Sequence, residues 1–326
     1  QPGARVPGNP TPRWQVAVDD GWTSVPVVDE ERVYVVSEGE GATLSALDRA
    51  DGTETWTTHS TDAIAPPTLA NGDLYAHIGD HVYCLDPATG TERWRVRTEA
   101  AFGALRVRDG RLLVAGGGVV EAFDLRTERE LWSATLADDR DGSIDPFDGA
   151  AVGDGTVYAN GEGGLVAYDA ETGERRWRYE TATYATEPVL AGDTLLAGTL
   201  GTRVHAVDAA TGARKWTTES GNWVERPPAV TGEHAFVGSD AGHLSALDLT
   251  TGATVWRFVA DDEVDTAPAV GAETVLAGTI DGSLYALNRA TGERNWEYAL
   301  DGPAYSPALV DGLVCVTDET TVYALE

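Results

Sequence analysis

One fourteen-residue pattern recurs along this chain and restricts its fold more than anything else in it. At residues 243–256 it reads HLSALDLTTGATVW. Leu244, Ala246 and Asp248 fall on one side of an extended chain, Ser245 and Leu247 on the other. Asp248 can fold its carboxylate onto backbone N–H groups of the next turn, and Gly252 can take the positive φ that such a turn needs. Trp256 then lies on a returning strand. The unit is a β-hairpin with an aromatic side chain on its second arm.

The hairpin recurs at residues 43–56 (TLSALDRADGTETW), 81–94 (HVYCLDPATGTERW), 119–132 (VVEAFDLRTERELW), 164–177 (GLVAYDAETGERRW), 203–216 (RVHAVDAATGARKW) and 283–296 (SLYALNRATGERNW). The chain ends in TVYALE, the first half of an eighth copy, and the matching second half is TPRWQV at residues 11–16. Trp14, Trp56, Trp94, Trp132, Trp177, Trp216, Trp256 and Trp296 follow one another at spacings of 42, 38, 38, 45, 39, 40 and 40 residues. A period near 40 residues carrying only strand signals reads as a four-stranded propeller blade. The expected fold is therefore all-β: one eight-bladed propeller over residues 11–326, its blades antiparallel. The N-terminal strand joins the C-terminal blade and closes the ring, which leaves no open sheet edge between the termini.

The motif A-x-D-x-x-[ST]-G-x-x-x-W resembles the tryptophan-docking repeat of pyrroloquinoline-quinone (PQQ) proteins. That family includes quinoprotein alcohol dehydrogenases and the BamB-type lipoprotein of outer-membrane assembly. The resemblance covers residues 11–326. It is specific for fold and says little about function, because one propeller architecture hosts many activities.

Proline recurs at the start of six inner strands, at Pro26, Pro67, Pro188, Pro228, Pro268 and Pro307. An inner strand is an edge strand, where a missing N–H is tolerated. The innermost strand of blade 1 is expected over residues 24–28. Blade 3 lacks this proline, and Glu128 replaces its turn glycine, so its outer hairpin is expected to turn differently. Cys84 falls where the other repeats have alanine, and Cys315 is aligned with Ala197 and Ala277. Both read as buried spacers in blades 2 and 8, which are not neighbours, and a disulfide between them is not expected.

Acidic residues number 53 against 23 basic, a formal net charge of −30, and Lys215 is the single lysine. The acids are spread through every blade. Adaptation to high salt, as in halophilic archaea, accounts for this better than a cationic partner does. Nucleic acid is excluded, because there is no basic stripe to meet a phosphate backbone. Anionic membrane surfaces are disfavoured on the same ground, and no apolar run reaches the length of a membrane span. The Gly/Pro-rich residues 1–10 (QPGARVPGNP) read as a linker or tether from a secretion signal or lipid anchor. An extracytoplasmic or cell-surface monomer is expected.

In a propeller, the segment leading from one blade's outer strand to the next blade's inner strand opens on one end of the central channel. Here those lead-ins carry Trp22, Phe102, Tyr184, Glu187, Trp223, Glu225, Arg226, Asp265 and Tyr305. Trp22 and Trp223 are the only tryptophans outside the docking set. Aromatics mixed with a few charges at a concave mouth suit a ligand pocket or a peptide-recognition surface. The plainer reading is that they plug the channel. The resemblance to quinoprotein dehydrogenases implies PQQ packed between a tryptophan and a disulfide of adjacent cysteines, with Ca²⁺ held by acidic and amide side chains. This chain has no adjacent cysteines, and Trp223, Glu225 and Arg226 match only parts of such a site.

Asp139, Asp141, Ser143 and Asp145 alternate as oxygen donors around Gly142, but the glycine position and the distal glutamate of a calcium loop are missing. An acidic surface loop explains them equally well. His77 and His81 flank a turn without a third zinc ligand. No nucleophile elbow or phosphate loop is present, so no catalytic residue is assigned. Three readings follow. The first is a non-enzymatic scaffold binding a protein or peptide, without a cofactor. The second is a PQQ-dependent dehydrogenase, or a degenerate relative that binds quinone or metal in the mouth. The third is the ligand-sensing domain of a larger membrane-anchored protein.

Overall fold

The computed structural model describes residues 8, 10–18, 22–136, 149–161 and 163–326. Most of the N-terminal tether, and the acidic connection with Asp139, Asp141, Ser143 and Asp145, lie outside the described residues. The described chain is all-β and forms an eight-bladed propeller of antiparallel blades, with eight separate sheets. The strand Pro12–Ala17 pairs with Thr321–Leu325 and puts Trp14 opposite Ala324. The two ends of the chain thus share the sheet of blade 8, completed by Leu313–Thr317 and Ala308–Val310.

Two compact units are present. Blades 2 to 5 make one (Pro67–Pro87 with Thr91–Pro227). Blades 6, 7, 8 and 1 make the other (Gln1–Pro66, Ala88–Gly90 and Pro228–Glu326). Within each, the second and third strands of a blade are buried on both faces. Asp73–Ile78, Thr194–Gly198 and Thr274–Gly278 are buried along nearly their whole length. Outer strands such as Glu92–Arg97 alternate exposed and half-buried residues and carry charges along the free edge, which discourages edge-to-edge pairing.

The docking tryptophans explain the repeat. The Trp14 indole N–H donates to Arg49 O at 2.9 Å, Trp132 to Ala170 O at 3.1 Å, Trp177 to Ala209 O at 3.0 Å and Trp256 to Arg289 O at 2.9 Å. Each acceptor belongs to the turn between the third and outer strands of the next blade. The ring lies on that turn's glycine, where a Cβ would come within 2.6 Å of Trp256 at Gly292 and 2.7 Å of Trp177 at Gly212. The glycine is needed twice, for its positive φ and for its missing side chain. The turn is built by the preceding aspartate. Asp248 Oδ1 accepts the N–H groups of Thr250 and Thr251 and the Thr251 hydroxyl, and Gly252 N–H closes on Asp248 O at 2.8 Å.

Three expectations need correction. Glu128 does not change the blade 3 turn. Its N–H closes on Asp124 O at 2.8 Å as in the other blades, and the residue takes the left-handed φ of 57° that glycine takes elsewhere. Hydrogen bonding by Asp124 outweighs the steric cost at one position. Cys315 pairs with Ala308 and Ala324, the register place of Leu196 and Leu276, not that of Ala197 and Ala277. Both cysteines are free and buried, and burial pushes their thiols up, Cys84 to about 11 and Cys315 to about 12. In blade 1 the inner strand is broken. Trp22–Thr23 and Val27–Val28 both pair with Arg32–Gly39, with Pro26 in the gap.

Truncating Trp256 to alanine removes the indole from the blade 7 turn and is expected to cost about 3–5 kcal/mol in chemical denaturation. An unchanged midpoint would contradict the docking role. Glu128→Gly relieves a left-handed non-glycine residue and is expected to stabilise by about 1 kcal/mol in the same assay. The turn aspartates set an acid limit. Asp248 and Asp208 are held below the usual carboxylate range by the hydroxyls and backbone N–H groups of Thr251 and Thr211. The Thr127 N–H does the same for Asp124, and Arg176 for Asp169. Carboxylates lowered on folding stabilise above their unfolded pKa and lose that contribution as pH falls. The thermal midpoint should therefore drop below about pH 4. Replacing the four by asparagine should flatten that limb, because Asn288 already builds the same turn with its amide oxygen.

Candidate functional site: the blade lead-ins

The lead-ins are fixed by backbone before any side chain is considered. In the unit of blades 6 to 1, Val264 N–H donates to Ser239 O at 3.2 Å and Ala304 N–H to Thr279 O at 3.0 Å. Ser239 ends the second strand of the preceding blade, and Thr279 directly follows the equivalent strand of its own blade. Each lead-in also bonds its own second strand, as Ser24 N–H does to Val36 O and Tyr305 N–H to Thr317 O. Asp265 and Tyr305 are half-buried within this frame. Asp265 stands beside Thr266, whose buried hydroxyl receives Gly278 N–H at 2.9 Å. Trp22 begins the extra strand of blade 1, opposite Glu38.

In the unit of blades 2 to 5 the frame presents aromatics. The loop at residues 199–202 is pinned on both sides. Leu200 N–H donates to Tyr184 O at 3.1 Å, and Thr199 O accepts Val224 N–H at 3.2 Å. Tyr184 and Trp223 therefore flank one loop. They are 37% and 48% exposed, although Val224 and Ala185 beside them are buried. The Thr181 and Ser220 hydroxyls brace the two lead-ins by bonding Thr183 O and Asn222 O, both at 2.6 Å. Exposed aromatics on braced backbone lose little freedom on binding, which favours recognition.

Glu187 is drawn to a different partner. It pairs with Arg106 of the blade 3 inner strand Ala104–Arg108, spanning blade 4. Blade 4 leaves room because Gly149 lies under the carboxylate chain, where a Cβ would come within 2.6 Å of Glu187. Glu225 is half-buried and Arg226 exposed. Phe102 is half-buried and holds a left-handed φ of 49°. The nine lead-in positions thus divide into a flanking pair of aromatics, a charge pair with Arg106, and residues bound into the frame of their own unit.

A set of positions that sequence reasoning missed holds these lead-ins in place. The same register place carries His77, Asn160, Gly198, Gly238, Gly278 and Thr317 on six of the second strands, and Val36 and Ala115 on those of blades 1 and 3. Where the residue is polar, it reaches the next blade's lead-in. His77 Nδ1 receives Gly103 N–H at 2.8 Å, Asn160 Nδ2 donates to Ala185 O at 2.7 Å, and the Thr317 hydroxyl donates to Ser24 O at 3.0 Å. Asn160 Oδ1 also receives Gly149 N–H at 2.8 Å. Where it is glycine, the incoming lead-in fills the space. A Cβ would meet Val224 at Gly198, Val264 at Gly238 and Ala304 at Gly278. The signal was available as lone polar residues inside apolar strands.

The cofactor cradle implied by the quinoprotein resemblance does not fit this chain. Cys84 and Cys315 are both free and buried, and neither neighbours another cysteine. Among the described residues, no three or more His, Cys, Asp and Glu side chains are grouped to hold a metal ion. His81 Nδ1 lies 2.6 Å from Asp80 Oδ1 while His77 is buried against Gly103. Among the described residues no helix is long and apolar enough to cross a membrane.

A family model described as outer membrane protein assembly factor BamB matches residues 9–71, 62–187 and 182–326. BamB from Moraxella catarrhalis superposes with a TM-score of 0.78 at 16% identity, over 97% of each chain. The computationally designed Ika8 protein superposes at 0.81 and 15% identity, over 96% of this chain and 98% of that one. Quinohemoprotein alcohol dehydrogenase from Comamonas testosteroni gives 0.76 at 16% identity, over 97% of this chain and 76% of that one. A search of curated proteins found no match. At these identities the structural likenesses bear on the fold alone.

Proposed function

Because this chain belongs to the family of outer membrane protein assembly factor BamB, we propose that it is a non-enzymatic scaffold that binds a protein or peptide through its blade lead-ins. The observation that carries the reading is the pair Tyr184 and Trp223, exposed on either side of a loop whose backbone fixes both. Large aromatics with few rotatable bonds are the side chains that anchor protein interfaces. Among the other lead-in residues, Phe102, Glu187, Glu225 and Arg226 lie in the same unit as this pair, and Trp22, Asp265 and Tyr305 take lead-in places in the other unit. The scaffold works outside the cytoplasm, as a monomer tethered through residues 1–10, and its −30 charge keeps it hydrated at high salt.

The structural likeness to a quinohemoprotein alcohol dehydrogenase supports a second reading, a quinoprotein-like relative. The lack of adjacent cysteines weighs against it. The two readings separate experimentally. A photo-crosslinking amino acid at residue 184 or 223, introduced in the native host, should capture one defined protein. The same probe at the exposed outer-strand residues 255 and 259 should not. Trp223→Ala should weaken binding of the captured protein by about 10- to 100-fold without lowering the thermal midpoint. Equal capture at all four positions would remove the rim from consideration. Purified protein given PQQ and Ca²⁺ should develop neither quinone absorbance nor dye reduction with alcohols or sugars. Turnover there would replace the scaffold with the enzyme.

A further inference from the structure

One of the positions holding the lead-ins differs from the others in its chemistry. His77 lies on Asp73–Ile78, the second strand of blade 2, and is 1% exposed. Its Nδ1 accepts the N–H of Gly103, the last residue before the inner strand of blade 3. A ring nitrogen that accepts carries no proton, so the neutral ring holds its hydrogen on Nε2. That Nε2 is buried and has no hydrogen-bond partner. Asn160 and Thr317 do the same work in blades 4 and 8 with groups that do not titrate. Glycine at 198, 238 and 278 has no side chain to titrate.

We propose that His77 is an acid-sensitive latch on the lead-in of blade 3: a protonated ring cannot accept the Gly103 N–H, so residues 99–103 are released as the solution becomes weakly acidic. Protonation at Nδ1 turns an acceptor into a donor facing another donor. It also places a charge where burial allows little hydration. The charged groups facing the ring are Glu121, on the third strand of blade 3, and Asp80, in the turn after the His77 strand. Glu121 is 2% exposed and holds the other end of the same lead-in, accepting the Thr98 hydroxyl and the Glu99 N–H. The segment is thus fixed by an imidazole at one end and a carboxylate at the other. Between them Phe102 is kept at its left-handed φ. Freed of the Gly103 bond, Phe102 can relax toward an ordinary conformation.

The sign follows from burial, which holds the His77 proton affinity below its ordinary value of 6.5. The released segment binds the proton at that ordinary value, and the latched segment binds it only at lower pH. Latching is therefore at full strength above about pH 6.5 and weakens as pH falls toward the folded-state value. The latch rests on the geometry of blades 2 and 3 and does not require the rim to bind a partner.

Hydrogen exchange of the Gly103 amide tests it, with each rate corrected for the chemical pH dependence of exchange. The opening equilibrium should rise about tenfold per pH unit below about pH 6.5. The Gly149 amide, held by the Asn160 side chain in the same unit, is the internal reference and should stay flat. His77→Asn, which copies the blade 4 residue, should abolish the response at Gly103, and Glu121→Gln should leave it in place. Three results would overturn the proposal: a flat Gly103, a parallel rise at Gly149, or a response that survives His77→Asn. Loss of the response in Glu121→Gln would assign the titration to the carboxylate and overturn it as well. Nitrogen-15 shifts of the wild-type imidazole give a reading that needs no variant. They should show an unprotonated Nδ1 at neutral pH that gains a proton before the protein unfolds. A ring that stays neutral down to acid unfolding would end the idea.

Discussion

The indoles of Trp14, Trp132, Trp177 and Trp256 each rest on a turn that belongs to the next blade, and the ring depends on contacts of this kind. A four-stranded sheet with two apolar faces cannot exist alone in water. Stacking it against its neighbours buries both faces, but apolar contact is non-directional and does not fix the offset between sheets. The indole N–H does. It requires a backbone carbonyl at one place on the neighbouring turn, and the ring requires a glycine beneath it. The aspartate that shapes the turn, the threonine that caps it and the glycine that lets the ring approach are parts of one joint. Blade 3 tests its tolerance: Glu128 replaces the glycine, yet Asp124 still forces the turn.

The other side of each blade is held differently. The lead-ins are pinned by backbone hydrogen bonds to the blade before them, and by one register position that is polar or glycine in six of the eight blades. Polar occupants satisfy lead-in groups that would otherwise be buried without a partner, a costly state. Glycines instead make room for an apolar side chain of the incoming segment. Both solutions fix the lead-ins firmly, so aromatics can be left exposed on them. Tyr184 and Trp223 lie outside the core because the residues after them, Ala185 and Val224, take the buried places. Histidine at this position does the same mechanical work as asparagine, with the difference that it titrates.

The likeness of the fold to BamB, to a designed propeller and to a quinohemoprotein dehydrogenase illustrates how little architecture says about activity. The designed protein shares the fold at 15% identity. What distinguishes one such ring from another is the set of side chains carried on the lead-ins, and here these are aromatic and acidic, without a cysteine pair.

The sequence by itself determined the number of blades, their strand order and the closure of the ring. Those follow from local rules: period-two alternation, an Asx turn with its glycine, and a tryptophan at a fixed distance from both. Locality also explains the errors. Reading blade 3 from its missing glycine underweighted Asp124, and aligning Cys315 by its small size ignored the register that places it opposite Ala324. Only the tertiary structure decided which lead-in residues meet. Glu187 finds Arg106 across a blade, 81 residues away in the chain, and Tyr184 and Trp223 are brought to one loop 15 or more residues from either. The latch at His77 belongs to the same class, because its partner Gly103 lies 26 residues away on a different sheet. Such pairs are set by the angle and offset between sheets. Those are properties of stacked surfaces and leave no periodic trace in the chain that forms them.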